Sequence, residues 1–263
     1  MKDLKVYKKH DGQKTIVKVK NVTFNDGSFN LIAGPCSIED RKSLEKTAQL
    51  IVKNGGKLLR GGTFKLRTSP YNFQGLGKEG VELLYEIGKK YNLVTVSEIP
   101  SICELELFIE KIDIIQVGAR NMDNYPMLKE LGKIKKPILL KRGPSATIEE
   151  WLLAAEYILN GGNDQIILCE RGSTTFETYT RNTLNLSAAL AAKKLSHLPV
   201  IIDPSHGTGR ADMVSDFTKV AKFLSLDGAI IEIHENPDVA LSDGFQTIDF
   251  KEYEELVKSL WKL

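Results

Sequence analysis

Cysteine is scarce in this chain. There are three in 263 residues, Cys36, Cys103 and Cys169, odd in number and far apart. That excludes a disulfide framework and points to a reducing, cytoplasmic setting. No run approaches the ~18 apolar residues of a membrane span. Residues 1–15, MKDLKVYKKHDGQKT, lack the apolar stretch of a secretory signal. Net charge is only +2, so neither nucleic acid nor a membrane surface is an expected partner, and any basic function must come from local clustering. Linkers, low-complexity segments and sequence repeats are also lacking. The 42% hydrophobic and 27% charged content suits a globular protein long enough to bury a sizeable core.

What is present is an alternation. Eight short runs rich in Ile, Val and Leu fall at 29–35, 57–62, 93–99, 114–119, 137–142, 165–172, 199–205 and 228–234. They read as strands covered on both faces. Helical patterns lie between them. Segment 39–54 has Leu44, Ala48, Ile51 and Val52 at helical spacing before Gly55-Gly56. Segment 147–160 opens with a capping-box pattern, Thr147 to Glu150. Patterns at 177–195, 212–225 and 250–261 follow. Strand then helix, eight times, is the order of a (β/α)8 barrel of α/β class. The first 28 residues read differently. Segment 15–19 alternates, and Asn25-Asp26-Gly27 is a turn signal. We expect a small hairpin plugging the barrel bottom (1–28), followed by one catalytic barrel (29–263).

In such barrels the active site lies at the C-terminal ends of the strands. Those ends carry Cys36, Arg60, Glu98, Arg120, Lys141, Arg171, His206 and Glu232. Alternation turns Leu139 with Lys141, Gln116 with Arg120, and Ile230 with Glu232 to one face. The loop RGGTFKLRTSP, residues 60–70, adds Lys65 and Arg67 beside glycines and hydroxyls. Six cations (Arg60, Lys65, Arg67, Arg120, Lys141 and Arg171) facing one pocket suit several phosphate or carboxylate groups. Like charges crowded on one rim repel unless an anion neutralises them. A second set, Cys36, His206, Glu232 and Asp243, comes from strands that a closed barrel makes neighbours. One thiolate, one imidazole and two carboxylates suit Mn²⁺, Fe²⁺, Co²⁺ or Zn²⁺ better than Mg²⁺ or Ca²⁺. Cys169 reads as packing, Cys103 as an inert residue opening a helix, and His10 and His197 as remote from the rim. His234 shares the parity of Glu232, as a second candidate ligand or proton donor. Lys141 also fits a Schiff-base lysine.

Taken together, AGPCS at 33–37, LRGGTFK at 59–65, RTSPY at 67–71, QVGARN at 116–121, LLKRG at 139–143, LCERG at 168–172, DPSH at 203–206 and ALSDG at 240–244 resemble one family. It is the 3-deoxy-D-arabino-heptulosonate 7-phosphate (DAHP) synthases, in the short type I beta form. The resemblance implies a transferase that condenses phosphoenolpyruvate with erythrose 4-phosphate at the entry of the shikimate pathway to aromatic amino acids. It implies one divalent metal ion, with Mn²⁺ first, on Cys36, His206, Glu232 and Asp243. It places phosphoenolpyruvate against Arg60, Lys65, Ala119, Arg120, Lys141 and Arg171, with His206 and Asp243 also touching substrate. Arg67 and Thr68 would hold the phosphosugar. Catalytic roles would fall to Lys65 as general acid, to Cys36 and His206 at the metal, and to Glu98 near the attacking water. A homodimer or homotetramer is implied. With no regulatory domain in the sequence, no feedback inhibition by Phe, Tyr or Trp is expected.

Some positions depart from the family pattern. Leu66 replaces a proline in the K-P-R-T loop, and Thr174 stands where an arginine is common. Gly207-Thr208-Gly209 replaces the commoner Pro-Ala-Gly after the histidine. The sister synthase that makes 3-deoxy-manno-octulosonate 8-phosphate from arabinose 5-phosphate typically carries K-A-N-R-S in this loop. The direct step from Leu66 to Arg67 favours the four-carbon aldose. A non-catalytic sugar-phosphate-binding barrel is the third reading, and the intact metal quartet argues against it.

Overall fold

The structure is a computed structural model that describes residues 4–65 and 69–262. Its centre is a closed parallel barrel. In order around the ring its strands are β10 (Gly228–Glu232), β3 (Asn30–Gly34), β4 (Leu58–Arg60), β5 (Val94–Glu98), β6 (Ile114–Val117), β7 (Ile138–Lys141), β8 (Ile166–Glu170) and β9 (Val200–Ile202). Pairing of β10 with both β9 and β3 closes the ring. Each strand falls inside one of the eight apolar runs.

Alternation divides the core in two. Ile32, Leu58, Val94, Val96, Ile114, Leu139, Ile167, Cys169, Ile201 and Ile230 fill the barrel interior. Their neighbours Ala33, Leu59, Ile115, Leu140, Leu168 and Ile231 pack outward against the helices. Continuing the inward parity to the strand ends turns Arg60, Glu98, Lys141 and Glu232 into the barrel mouth. This is the physical reason one rim of the molecule is charged.

The helices are α1 (Arg41–Lys53), α2 (Lys78–Lys90), α3 (Leu105–Lys111), α4 (Tyr125–Leu131), α5 (Ile148–Gly161), α6 (Leu186–Leu195), α7 (Pro204–Thr208), α8 (Ala211–Phe223) and α9 (Phe250–Leu260). The Thr147–Glu150 capping box forms as the spacing predicts. One boundary differs. Helical patterning predicts a helix over 177–195, but α6 starts at Leu186, where the Asn185 side chain accepts from the Ala188 N–H. The preceding stretch is rich in threonine and folds back instead, with Ser173 and Thr183 bridged antiparallel. β-Branched residues disfavour a helix there, and Asn185 supplies a better start.

The N-terminal strands β1 (Val17–Val19) and β2 (Val22–Phe24) form an antiparallel hairpin. Val17, Val19, Val22 and Phe24 join the barrel-interior cluster, so the hairpin plugs the bottom as expected. Its turn lies at Lys20, which adopts φ of 51° and donates to Asp113 at 2.7 Å. The Asn25-Asp26-Gly27 turn instead leads from the plug into β3.

Candidate active site

Four ligand atoms, one each from Cys36, His206, Glu232 and Asp243, lie within 4.8 Å of one another. Cys36 follows β3, and Glu232 ends β10. His206 sits on the single-turn α7, and Asp243 in the loop after β10. An ion with bonds of ~2.0–2.3 Å keeps any two ligands within about 4.6 Å. A small contraction would seat one, and a donor set with one sulfur and one imidazole suits a transition ion. The residues therefore fit the metal that their chemistry implies.

Contacts within this cluster set its electrostatics. The Cys36 thiol donates to Asp243 Oδ2 at 3.1 Å and accepts from Lys65 Nζ at 3.0 Å. Burial pushes the thiol up to about 12, and the Glu232 carboxylate adds to the rise. Burial opposes charge on Glu232, yet His206, Arg60 and Lys65 outweigh it and hold that carboxyl at about 2. Burial also lowers His206 below the usual imidazole range, against the pull of Asp203 and Glu232. In Lys65, burial works against the ammonium, but Cys36 and Glu232 overcome it and the net shift is upward.

Beside the cluster opens a cavity of about 310 Å³. Arg60, Lys65, Glu98, Ala119, Arg120, Lys141, Arg171, His206 and Asp243 all line it. Cys36 and Glu232 are buried, at 4% and 1% exposure. Arg67 and Thr68, with Leu66, lie outside the described residues. One expectation needs correction: two of the cations, Arg60 and Lys141, already pair with carboxylates of the protein. Arg60 Nη1 donates to Glu232 at 2.8 Å, and Lys141 Nζ to Asp203 at 2.5 Å. Lys65 lies 3.8 Å from Asp243. Arg171 donates to the His206 carbonyl at 3.4 Å. Burial lowers Arg171 from the ordinary guanidinium value, and nearby Arg181 adds to this against Asp203. Such an arginine gains from an added anion. Glu98 accepts from Gln116 Nε2 at 2.8 Å and lies against bare Gly118.

The other cysteines and histidines lie apart from the four-residue cluster. Cys169 packs in the barrel interior, and Cys103 is exposed. His197 meets Thr15 and the Lys5 carbonyl near the N-terminal arm, and His10 is exposed. His234 turns Nδ1 to the Asn236 backbone and lies 3.7 Å from Glu39, apart from the four ligands. Lys141 is held by Asp203 rather than presented as a free amine.

Asp203 was not among the expected site residues. It is buried, its Oδ2 lies 2.8 Å from His206 Nδ1, and its Oδ1 accepts the His206 backbone N–H. Burial opposes its charge, but His206 and Lys141 hold it well below the usual carboxylate range. The signal was available, since Asp203 continues the inward parity of Ile201. Arg181 and Asn182, also on the cavity wall, were obscured by the helical reading of their segment.

A family model described as the DAHP synthetase I family matches residues 12–263. The chain belongs to the DAHP synthetase I family. A phospho-2-dehydro-3-deoxyheptonate aldolase of Thermotoga maritima is 49% identical across 95% of this chain and 74% of its own. A crystal structure of the Thermotoga maritima DAHP synthase superposes with a TM-score of 0.96 at 46% identity, covering 100% of this chain and 77% of that one. A truncated form of the Thermotoga enzyme gives 0.91 at 44% identity, over 98% and 94%. A 2-dehydro-3-deoxyphosphooctonate aldolase of Francisella tularensis subsp. holarctica is more distant, 27% identical over 93% and 96%.

Proposed function

We propose that this member of the DAHP synthetase I family joins phosphoenolpyruvate, erythrose 4-phosphate and water to give 3-deoxy-D-arabino-heptulosonate 7-phosphate and phosphate. The observation that carries this is the junction of a four-ligand cluster with a cationic cavity wall at one barrel mouth. Two anionic substrates account for the cations, and an aldehyde accounts for the ion. Residues 29–263 form the catalytic barrel in this reading, and 1–28 its plug.

Cys36, His206, Glu232 and Asp243 hold a divalent transition ion, Mn²⁺ first, with Fe²⁺, Co²⁺ and Zn²⁺ as alternatives. The bound ion supplies Lewis-acid polarisation of the aldehyde. The chain's own groups do the rest. Arg120, Lys141, Arg171 and Arg60, beside Ala119, orient the phosphate and carboxylate of phosphoenolpyruvate, and Arg67 and Thr68 hold the phosphosugar. As C3 of phosphoenolpyruvate bonds to the aldehyde carbon, Lys65 Nζ gives a proton to the forming alkoxide. Water then adds at C2 beside Glu98, and the C2–O bond breaks to release phosphate. The fixed cations stabilise the charge that develops there without reorganising. Asp203 positions His206, as a carboxylate behind a metal-bound imidazole does. A homodimer or homotetramer in the cytoplasm completes the reading.

The test is phosphoenolpyruvate consumption with erythrose 4-phosphate or arabinose 5-phosphate, each with Mn²⁺ and with excess EDTA. Metal-dependent turnover of the four-carbon sugar alone is expected. Turnover of arabinose 5-phosphate instead would move the assignment to the octulosonate branch of the relatives. Tight metal binding without turnover of either sugar would favour a binding protein.

A further inference from the structure

Each carboxylate of the cluster has one oxygen facing the other ligands and one facing away. Glu232 Oε1 lies 3.4 Å from His206 Nε2, and Asp243 Oδ2 accepts from Cys36. The outward oxygens converge on another pair of side chains. Glu232 Oε2 accepts from Gln246 Nε2 at 2.6 Å. Asp243 Oδ1 lies 3.7 Å from Arg181 Nη1, and that same nitrogen donates to Gln246 Oε1 at 3.3 Å. Gln246 is fully buried, and the Arg181 side chain is 43% exposed on the cavity wall.

We propose that Gln246, backed by Arg181, is a positioning residue that sets the orientation of the metal-binding carboxylate of Glu232. The chemistry allows one arrangement only. Ionised Glu232 only accepts, so it takes the amide nitrogen. The Arg181 guanidinium only donates, so it takes the amide oxygen. A glutamate at 246 would offer Glu232 a second acceptor and a like charge. The local backbone serves the same end. Asp243 sits in the left-handed region at φ of 50°, and Gln246 N–H closes the turn onto its carbonyl at 3.2 Å. One short turn thus delivers a ligand and the group that orients a second ligand. Outer partners of this kind typically change metal affinity by ~10–100-fold. The inference rests on the proposed ligand set.

The experiment measures Co²⁺ affinity by chelator competition, with absorption spectra of the Co²⁺ form, for the intact chain and for Gln246→Met, Gln246→Glu, Arg181→Met and Cys36→Ser. We expect Gln246→Met to weaken Co²⁺ binding ~10–100-fold and to alter the ligand-field bands, while keeping the thiolate-to-cobalt band. Gln246→Glu should bind more weakly still. Arg181→Met should act less than Gln246→Met, and the pair should fall short of the product of the single effects. The melting temperature of the metal-free proteins separates positioning from general damage. A stable Gln246→Met protein with unchanged affinity and spectrum would overturn the inference. Retention of full affinity and the thiolate band by Cys36→Ser would instead overturn the ligand set beneath it.

Discussion

Cys36 shows how single residues govern this site. Its thiol, raised to about 12, is protonated at neutral pH and hydrogen-bonded to Asp243. In the proposed ligand set a metal ion takes the thiolate, so binding must expel that proton. His206 is lowered and Glu232 is held at about 2, so neither adds a proton above pH 7. Calorimetry in buffers of different ionisation heat should therefore show release of about one proton, with affinity rising roughly tenfold per pH unit between 6 and 8. Release that persists in Cys36→Ser would count against this. Glu232 gives a second prediction. Its folded pKa is depressed, so its contribution is complete above the unfolded value of 4.5 and is lost as pH falls toward 2. The shift corresponds to about 3 kcal/mol. Metal-free protein should lose melting temperature steeply across that window, and Glu232→Gln should flatten the slope. These residues were legible in the sequence because polar groups at consecutive strand ends stand out against apolar runs. Gln246 was not, since one glutamine in a loop carries no period and no charge.

Elements deliver these residues through close backbone packing. Gly34 ends β3 at φ of 154°, and a Cβ there would fall 1.9 Å from the Arg60 carbonyl of β4. Backbone cannot retreat as a side-chain tip can. Gly34→Ala should fail to fold or lose several kcal/mol by denaturant melts, whereas a soluble protein of unchanged midpoint would refute this packing. Gly118 is the gentler case. A Cβ there would meet the Glu98 carboxylate at 2.1 Å, the movable end of a side chain. Gly118→Ala should keep its melting temperature within a few degrees yet lose up to ~10²-fold in kcat/KM. Equal loss of stability and turnover would argue that Glu98 has no placed role. The strands were readable because burial on both faces leaves an unmistakable run of branched residues. The start of α6 was not, because Leu184 and Leu186 continue an apolar stripe across the point where Asn185 begins the helix.

At the scale of the molecule, the barrel is a ring with a stopper. Val17, Val19, Val22 and Phe24 close its base. At ~1.5–3 kcal/mol per buried apolar side chain, their summed burial rivals the 5–15 kcal/mol that holds a typical domain together. Deleting residues 1–28 should yield aggregated protein or a melting point lower by more than 10 °C, and a variant with unchanged stability would show the plug to be ornamental. The ring also imposes an order in time. Cys36 and Asp243 are 207 residues apart in the chain, and β3 meets its last neighbour only through β10. A ribosome adding ~5–20 residues per second separates the emergence of these two residues by roughly 10–40 s. Through that interval the nascent chain holds Lys65, 29 residues from the thiol, but not yet Asp243. On the proposed ligand set, loading with metal and the onset of activity are therefore one event, which waits on closure of the ring.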